Sequence, residues 1–195
     1  PHMPHKTTDK DRAVIAKYVL EAHGKERQLE TALQAQIAGA KNEKVQQALV
    51  DHLDVTKEQI SALESRLVEL GTDRSSLSGA GPIEVGAGLV STVANKSLAL
   101  AKGPVQLLRG TSPADNELRN LRDCFWNEAE EIAHYSVIAA LASHLGDTKT
   151  AQLARRHRKE EEAMQVTLEE LIDEVTRTVA EQEATLPARD AVSSR

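Results

Sequence analysis

Glu26, Glu128, Glu131 and Glu161 stand in phase with apolar residues on the stretches that carry them. Glu26 lies one turn after Ala22 and three residues before Leu29. Glu128 lies three after Phe125 and four before Ile132, and Glu131 follows one turn on. Glu161 precedes Met164 by three and is in phase with Ala154 and Leu168; His157 is one turn before it. A further stretch has His52, Thr56 and Gln59 interrupting an apolar run between Leu49 and Leu63. A lone glutamate on a helix is more often a solvated ion-pair partner. Several turned inward at one level are a different matter, because unpaired buried carboxylates are costly and repel one another. A cation between them removes the repulsion. Carboxylate oxygens with imidazole suit a hard or borderline metal ion, so Glu26, Glu128, Glu131 and Glu161, with His157 as the spare ligand, make a candidate metal set.

The elements that would position these side chains are four long helices. Thr8 or Asp9 caps the first, which runs to about Ala40 on a stripe of Ile15, Tyr18, Ala22, Leu29, Leu33 and Ile37. Asn42 opens the second, with Val45, Leu49, Leu53, Ile60, Leu63, Leu67 and Leu70, and Gly71 ends it. Ser112-Pro113-Ala114-Asp115 combines a cap, a first-turn proline and an acidic residue. The third helix then carries Leu118, Leu121, Phe125, Ile132, Ile138, Leu141 and Leu145 to Gly146. Asp147 caps the fourth, on Ala151, Ala154, Met164, Leu168, Leu171, Val175 and Val179. Short joins make two antiparallel hairpins, and the segment 72–111 is one long crossover between them. That wiring is the ferritin-like four-helix bundle, an all-α fold. The crossover is rich in glycine and mildly basic, and 84–101 reads as a fifth helix.

The 195 residues carry a net charge of -6 and only four aromatics, Tyr18, Phe125, Trp126 and Tyr135. The scarcity of aromatics disfavours a β-sandwich or barrel. The acidic balance argues against a nucleic-acid partner, which needs a basic face. One cysteine, Cys124, leaves no internal disulfide and no cysteine-rich zinc site. Neither a membrane-spanning run nor a signal peptide is visible, so the expected location is the cytoplasm. Pro1-His2-Met3 reads as a remnant of cloning, with 1–5 disordered, 6–183 one domain and 184–195 a disordered tail. Glycine pairs at Gly79-Ala80-Gly81 and Gly86-Ala87-Gly88 lack the context of a phosphate-binding loop.

Four segments carry a family resemblance: KERQLETAL (25–33), NEKVQQALVDHLDVTKEQI (42–60), EAEEIAHYSVIAALASHLG (128–146) and KEEEAMQVTLEEL (159–171). Together they resemble the stress-induced YciF-like group of ferritin-like proteins. The resemblance sets Glu26, Glu128, Glu131 and Glu161 on acidic positions of the family pattern and implies a dinuclear site of iron or manganese, two ions per chain. The implied chemistry is oxidation of ferrous iron or consumption of peroxide during stress, in a homodimer. It places His134, although spaced as Glu-x-x-His with Glu131, at a non-ligand position. Thr56-x-x-Gln59 and Glu161-x-x-Met164 depart from the usual Glu-x-x-His of ferritin-like sites. That departure keeps open a metal-free scaffold acting through dimerisation or partner binding. Membrane-surface contact through 83–109 is a third reading. His52 reads as a packing or hydrogen-bonding residue, His23 and His144 as surface or packing residues, and Cys124 as a small hydrophobe. Phe125 and Trp126 read as core or dimer contacts. Tyr135 reads as a packed residue, with a redox partner to a metal as the alternative.

Overall fold

In the computed structural model, residues 7–78 and 113–185 are described. They form α1 (Asp9–Gly39), α2 (Glu43–Glu69), the short α3 (Arg74–Ser78), α4 (Pro113–His144) and α5 (Thr148–Thr185), with no strand among them. The expected fifth helix at 84–101, the cap at Ser112, the surface segment 83–109, residues 1–5 and the tail from 186 onward lie outside the described residues, while residues 184–185, expected in that tail, still belong to α5. The small α3 was not anticipated.

Each long helix starts or stops where its end groups find partners. Thr8 and Asp11 form a reciprocal capping box on α1. The Asn42 side chain accepts from Lys44 and Val45 N–H at the start of α2. At the far end of α2 the backbone turns through Gly71 at φ 101°, and Thr72 N–H reaches back to the Leu67 carbonyl at 2.9 Å. That is a Schellman ending, which favours glycine because a Cβ crowds the left-handed region. Gly146 (φ 76°) ends α4 the same way, and Asp147 then caps α5 through Thr150 N–H at 3.0 Å.

Cross-links between helix ends fix the direction of each helix. Thr7 donates to the Leu145 carbonyl, so α1 begins where α4 ends. Arg66 grips Asp147 (2.6 Å) and Thr150 (2.7 Å), so α2 ends where α5 begins. Glu117 accepts from Lys41 and Asn42 N–H, both at 3.0 Å, so α4 begins beside the α1–α2 turn. Helices α2 and α4 therefore run parallel, each about 40 Å or more in length at 1.5 Å per residue.

The interior is layered. At one end Ile15, Val19, Leu63, Leu67 and Ile138 pack together. At the other, Leu29, Leu33, Leu49, Leu121 and Leu168 form a second apolar cluster. Each fully buried leucine contributes about 1.5–3 kcal/mol by leaving water. Between the two clusters lies a polar layer: Glu26, His52, Thr56, Gln59, Glu128, Glu131, His157 and Glu161, all buried.

The stripes on α2 and α5 match the expected faces, except that Val179 is half-buried. On α1, Val19 is buried in place of Tyr18, which with Ile37 lies at the margin. On α4 Leu121, Glu128, Glu131 and Ile138 are buried as expected, but Cys124 and Tyr135 complete the line in place of Phe125 and Ile132. Phe125 and Ile132 sit on its flank, half-buried. Trp126 is 75% exposed, which removes it from the core. No helix of the described residues is long and apolar enough to cross a membrane.

Candidate metal centre

Every long helix delivers a side chain to the polar layer. Glu26 comes from α1, His52 and Gln59 from α2, Glu128, Glu131 and Tyr135 from α4, and His157 and Glu161 from α5. Their depth follows from helical phase: each replaces an apolar residue on a face that is buried above and below it.

Two ligand trios form, and they overlap. His52, Glu128 and Glu161 each offer an atom within 4.8 Å of the others, and so do Glu26, Glu131 and Glu161. His52 Nε2 stands 3.2 Å from Glu128 Oε1 and 3.8 Å from Glu161 Oε2. Glu161 is common to both. Glu26, Glu128, Glu131 and Glu161, read from helical phase, are thus gathered at one level. His52, read as a packing or hydrogen-bonding residue, offers the nitrogen of the first trio. Its interruption of the α2 stripe was the available signal. His157 is buried but belongs to neither trio: its ring meets Tyr135 edge-on at 5.1 Å between centroids. His134 is half-buried, with Nδ1 3.0 Å from the Glu130 carbonyl. His23 is buried against Glu64 at 3.1 Å, and His144 is exposed.

Hydrogen bonds within the layer leave much unsatisfied. Tyr135 donates to Glu26 Oε1, and Gln59 Nε2 donates to Glu161 Oε1. Both oxygens of Glu128, Oε2 of Glu26, Glu131 and Glu161, and His52 Nε2 have no hydrogen-bond partner in the protein. Orphaned buried acceptors of this number demand protons, water or an ion. Burial pushes the Glu26 carboxyl up to about 8, helped by Glu161. Burial takes Glu161 to about 8, with the facing Glu128 raising it further, and takes Glu128 to about 7. Glu131 is raised well above the carboxylate range by burial and then by Glu26, Glu161 and Glu128. Burial lowers His52, although Glu161 and Glu26 pull it back up. His157 is held down to about 3 by burial and by Arg156, so it stays neutral. The layer is a set of acids that resist ionising among themselves and ionise readily around a positive ion. Oxygen and imidazole donors in two trios with a shared carboxylate fit a pair of divalent ions.

A family model described as a domain of unknown function, DUF892, matches residues 16–181, a span that includes both trios. The chain belongs to this family. Among solved structures it is similar to the E. coli stress protein YciF, at 23% identity, a TM-score of 0.63, and 88% of this chain and 99% of that one covered. A Xanthomonas campestris protein has 18% identity and a TM-score of 0.63, over 89% of this chain and 99% of that chain. YcfI of Rhodopseudomonas palustris has 21% identity and a TM-score of 0.54, over 80% of this chain and 92% of that chain. No curated protein matches. These likenesses establish a shared YciF-type helical fold, and DUF892 membership agrees with the resemblance carried by the four sequence segments.

Proposed function

We propose that this DUF892 protein holds two iron or manganese ions in its polar layer and serves in stress protection. The reading is carried by one observation: two buried trios share Glu161, and most of their oxygens have no protein partner. Ferritin-like carboxylate bundles also build dinuclear sites from inward-facing carboxylates and histidines on four helices, with two Glu-x-x-His pairs where this chain has His52 alone in its trios. His52, Glu128 and Glu161 would hold one ion, and Glu26, Glu131 and Glu161 the other.

When bound, such ions supply one-electron redox chemistry. Ferrous ions held by these residues would supply the electrons for peroxide reduction, two ferrous ions with one hydrogen peroxide and two protons giving two ferric ions and two waters. The protein's own part is to manage charge and water. The carboxyl groups release protons as they take up cations. Tyr135 fixes the orientation of Glu26, and Gln59 that of Glu161. The flanking apolar clusters keep bulk water out of the layer.

The test is anaerobic titration of chelator-stripped protein with ferrous or manganous ion, followed by metal analysis. Two ions per chain, and loss of uptake in a Glu26→Ala/Glu128→Ala double variant that keeps its helical spectrum, are expected. Absence of stoichiometric uptake by the natural sequence would overturn the proposal. Adding peroxide to the loaded protein then measures ferrous loss directly.

A further inference from the structure

A site enclosed by four helices needs a path for its ions. The trio residues are all buried, so the path must be sought among the surfaces that touch them. A cavity of about 290 Å³ at the α1–α2 turn is lined by residues such as Gln36, Glu117 and Cys124 and by none of the trio residues. A larger groove of about 580 Å³ opens between α2 and α5, lined by Ala48, Asp51, His52, Val55, Glu160 and Ala163 among others. His52 belongs to a trio, is 3% exposed, and has an Nε2 without a hydrogen-bond partner.

The acidic groups of the groove are placed in sequence from water to site. Asp51 is exposed and held by Gln47 Nε2 at 2.7 Å. Glu160 is half-buried, with Arg156 Nε at 3.8 Å from one oxygen. Its other oxygen accepts from Gln59 Nε2 at 3.0 Å, and the same amide nitrogen donates to the buried Glu161. Gln59 therefore spans the step from the groove carboxylate to the bridging ligand. The lysine of the groove, Lys44, is neutralised by Glu174 at 2.8 Å. Ala48 and Ala163 give the groove small side chains on either wall.

We propose that the α2–α5 groove is the route by which divalent cations reach the centre, with Glu160 receiving the ion and Gln59 yielding its hold on Glu161 as the ion moves inward. A half-exposed carboxylate offers an aquo ion its first anionic contact before the costly loss of water in the interior. Gln59 is a positioning residue here, acting through Glu161 and Glu160. The inference rests on the dinuclear reading.

Stopped-flow mixing of metal-free protein with cobalt(II) chloride, followed by visible absorption, separates rate from capacity. Glu160→Gln removes the receiving charge, and Ala163→Trp narrows the groove from an exposed position. Glu162→Gln, on the same helix but ion-paired with Arg158 at 3.1 Å, is the charge-matched control. Both groove variants should bind as much cobalt as the natural protein but about tenfold more slowly, and the control at the natural rate. Natural rates in both groove variants would overturn the route while leaving the metal site standing. Slowing by Glu162→Gln as large as that by Glu160→Gln would also overturn it, as a general charge effect. Failure of the natural protein to bind cobalt or ferrous ion would bring down the dinuclear reading itself.

Discussion

Glu161 is the one side chain that belongs to both trios, and this makes the ligands unequal. Removing it should abolish the uptake of both ions, whereas His52→Ala should remove one and leave the Glu26, Glu131 and Glu161 trio able to bind the second. Metal analysis of the two variants checks this; equal losses would contradict a bridge. At this scale the sequence was informative about the acids and less so about the histidines. A glutamate in phase with leucines betrays its direction, because phase fixes the face of the helix on which it sits. Phase says nothing about which imidazole, several ångströms away on another rod, meets which oxygen. His157 shares a face with Glu161, yet its ring is spent against Tyr135. His52, read as a packing or hydrogen-bonding residue, stands beside Glu128.

Among the elements, the ends were more legible than the middles. Caps are local chemistry: Thr8, Asn42, Gly71 and Asp147 each act within a turn of their own position. On α4 Glu128 and Glu131 are buried as read, but Cys124 and Tyr135 complete the inward line, while apolar Phe125 and Ile132 run beside it. A core line made of acids disguises the period that would reveal it. Contacts between distant segments left no local trace either. Glu117, which clamps the α1–α2 turn, could not be told from a surface acid. Glu117→Ala leaves two turn N–H groups unpartnered and should cost about 1–3 kcal/mol. Gly71→Ala, forced into positive φ, should cost about 1 kcal/mol. For a chain of this size, each kcal/mol lowers Tm by roughly 2–4 °C, readable by thermal denaturation followed by circular dichroism.

For the molecule as a whole, the buried acids couple folding to pH. Glu26 and Glu161 keep their protons to about 8 and Glu128 to about 7 in the folded state, but lose them near 4.5 once unfolded. A raised carboxyl pKa means that the unfolded chain binds fewer protons through this window, so stability falls as pH rises. Lowered His52 and His157 act oppositely, but only below their ordinary value of 6.5. The carboxyl effect therefore stands alone between about pH 6.5 and 8. Metal-free protein should melt at a lower temperature at the upper end of that range than at the lower. Saturating divalent ion should flatten or reverse the trend, because binding takes up the ionised form and releases protons. Paired thermal scans with and without chelator measure both slopes.

Each trio draws one ligand from the α1–α2 hairpin and two from the α4–α5 hairpin. An ion seated there is thus a rivet through the seam between halves, and neither half owns a full set of donors. Stripping the rivets should loosen that seam before it unravels either hairpin. Hydrogen exchange would register the difference as faster opening of the polar-layer turns, with the turns inside the two apolar clusters little changed.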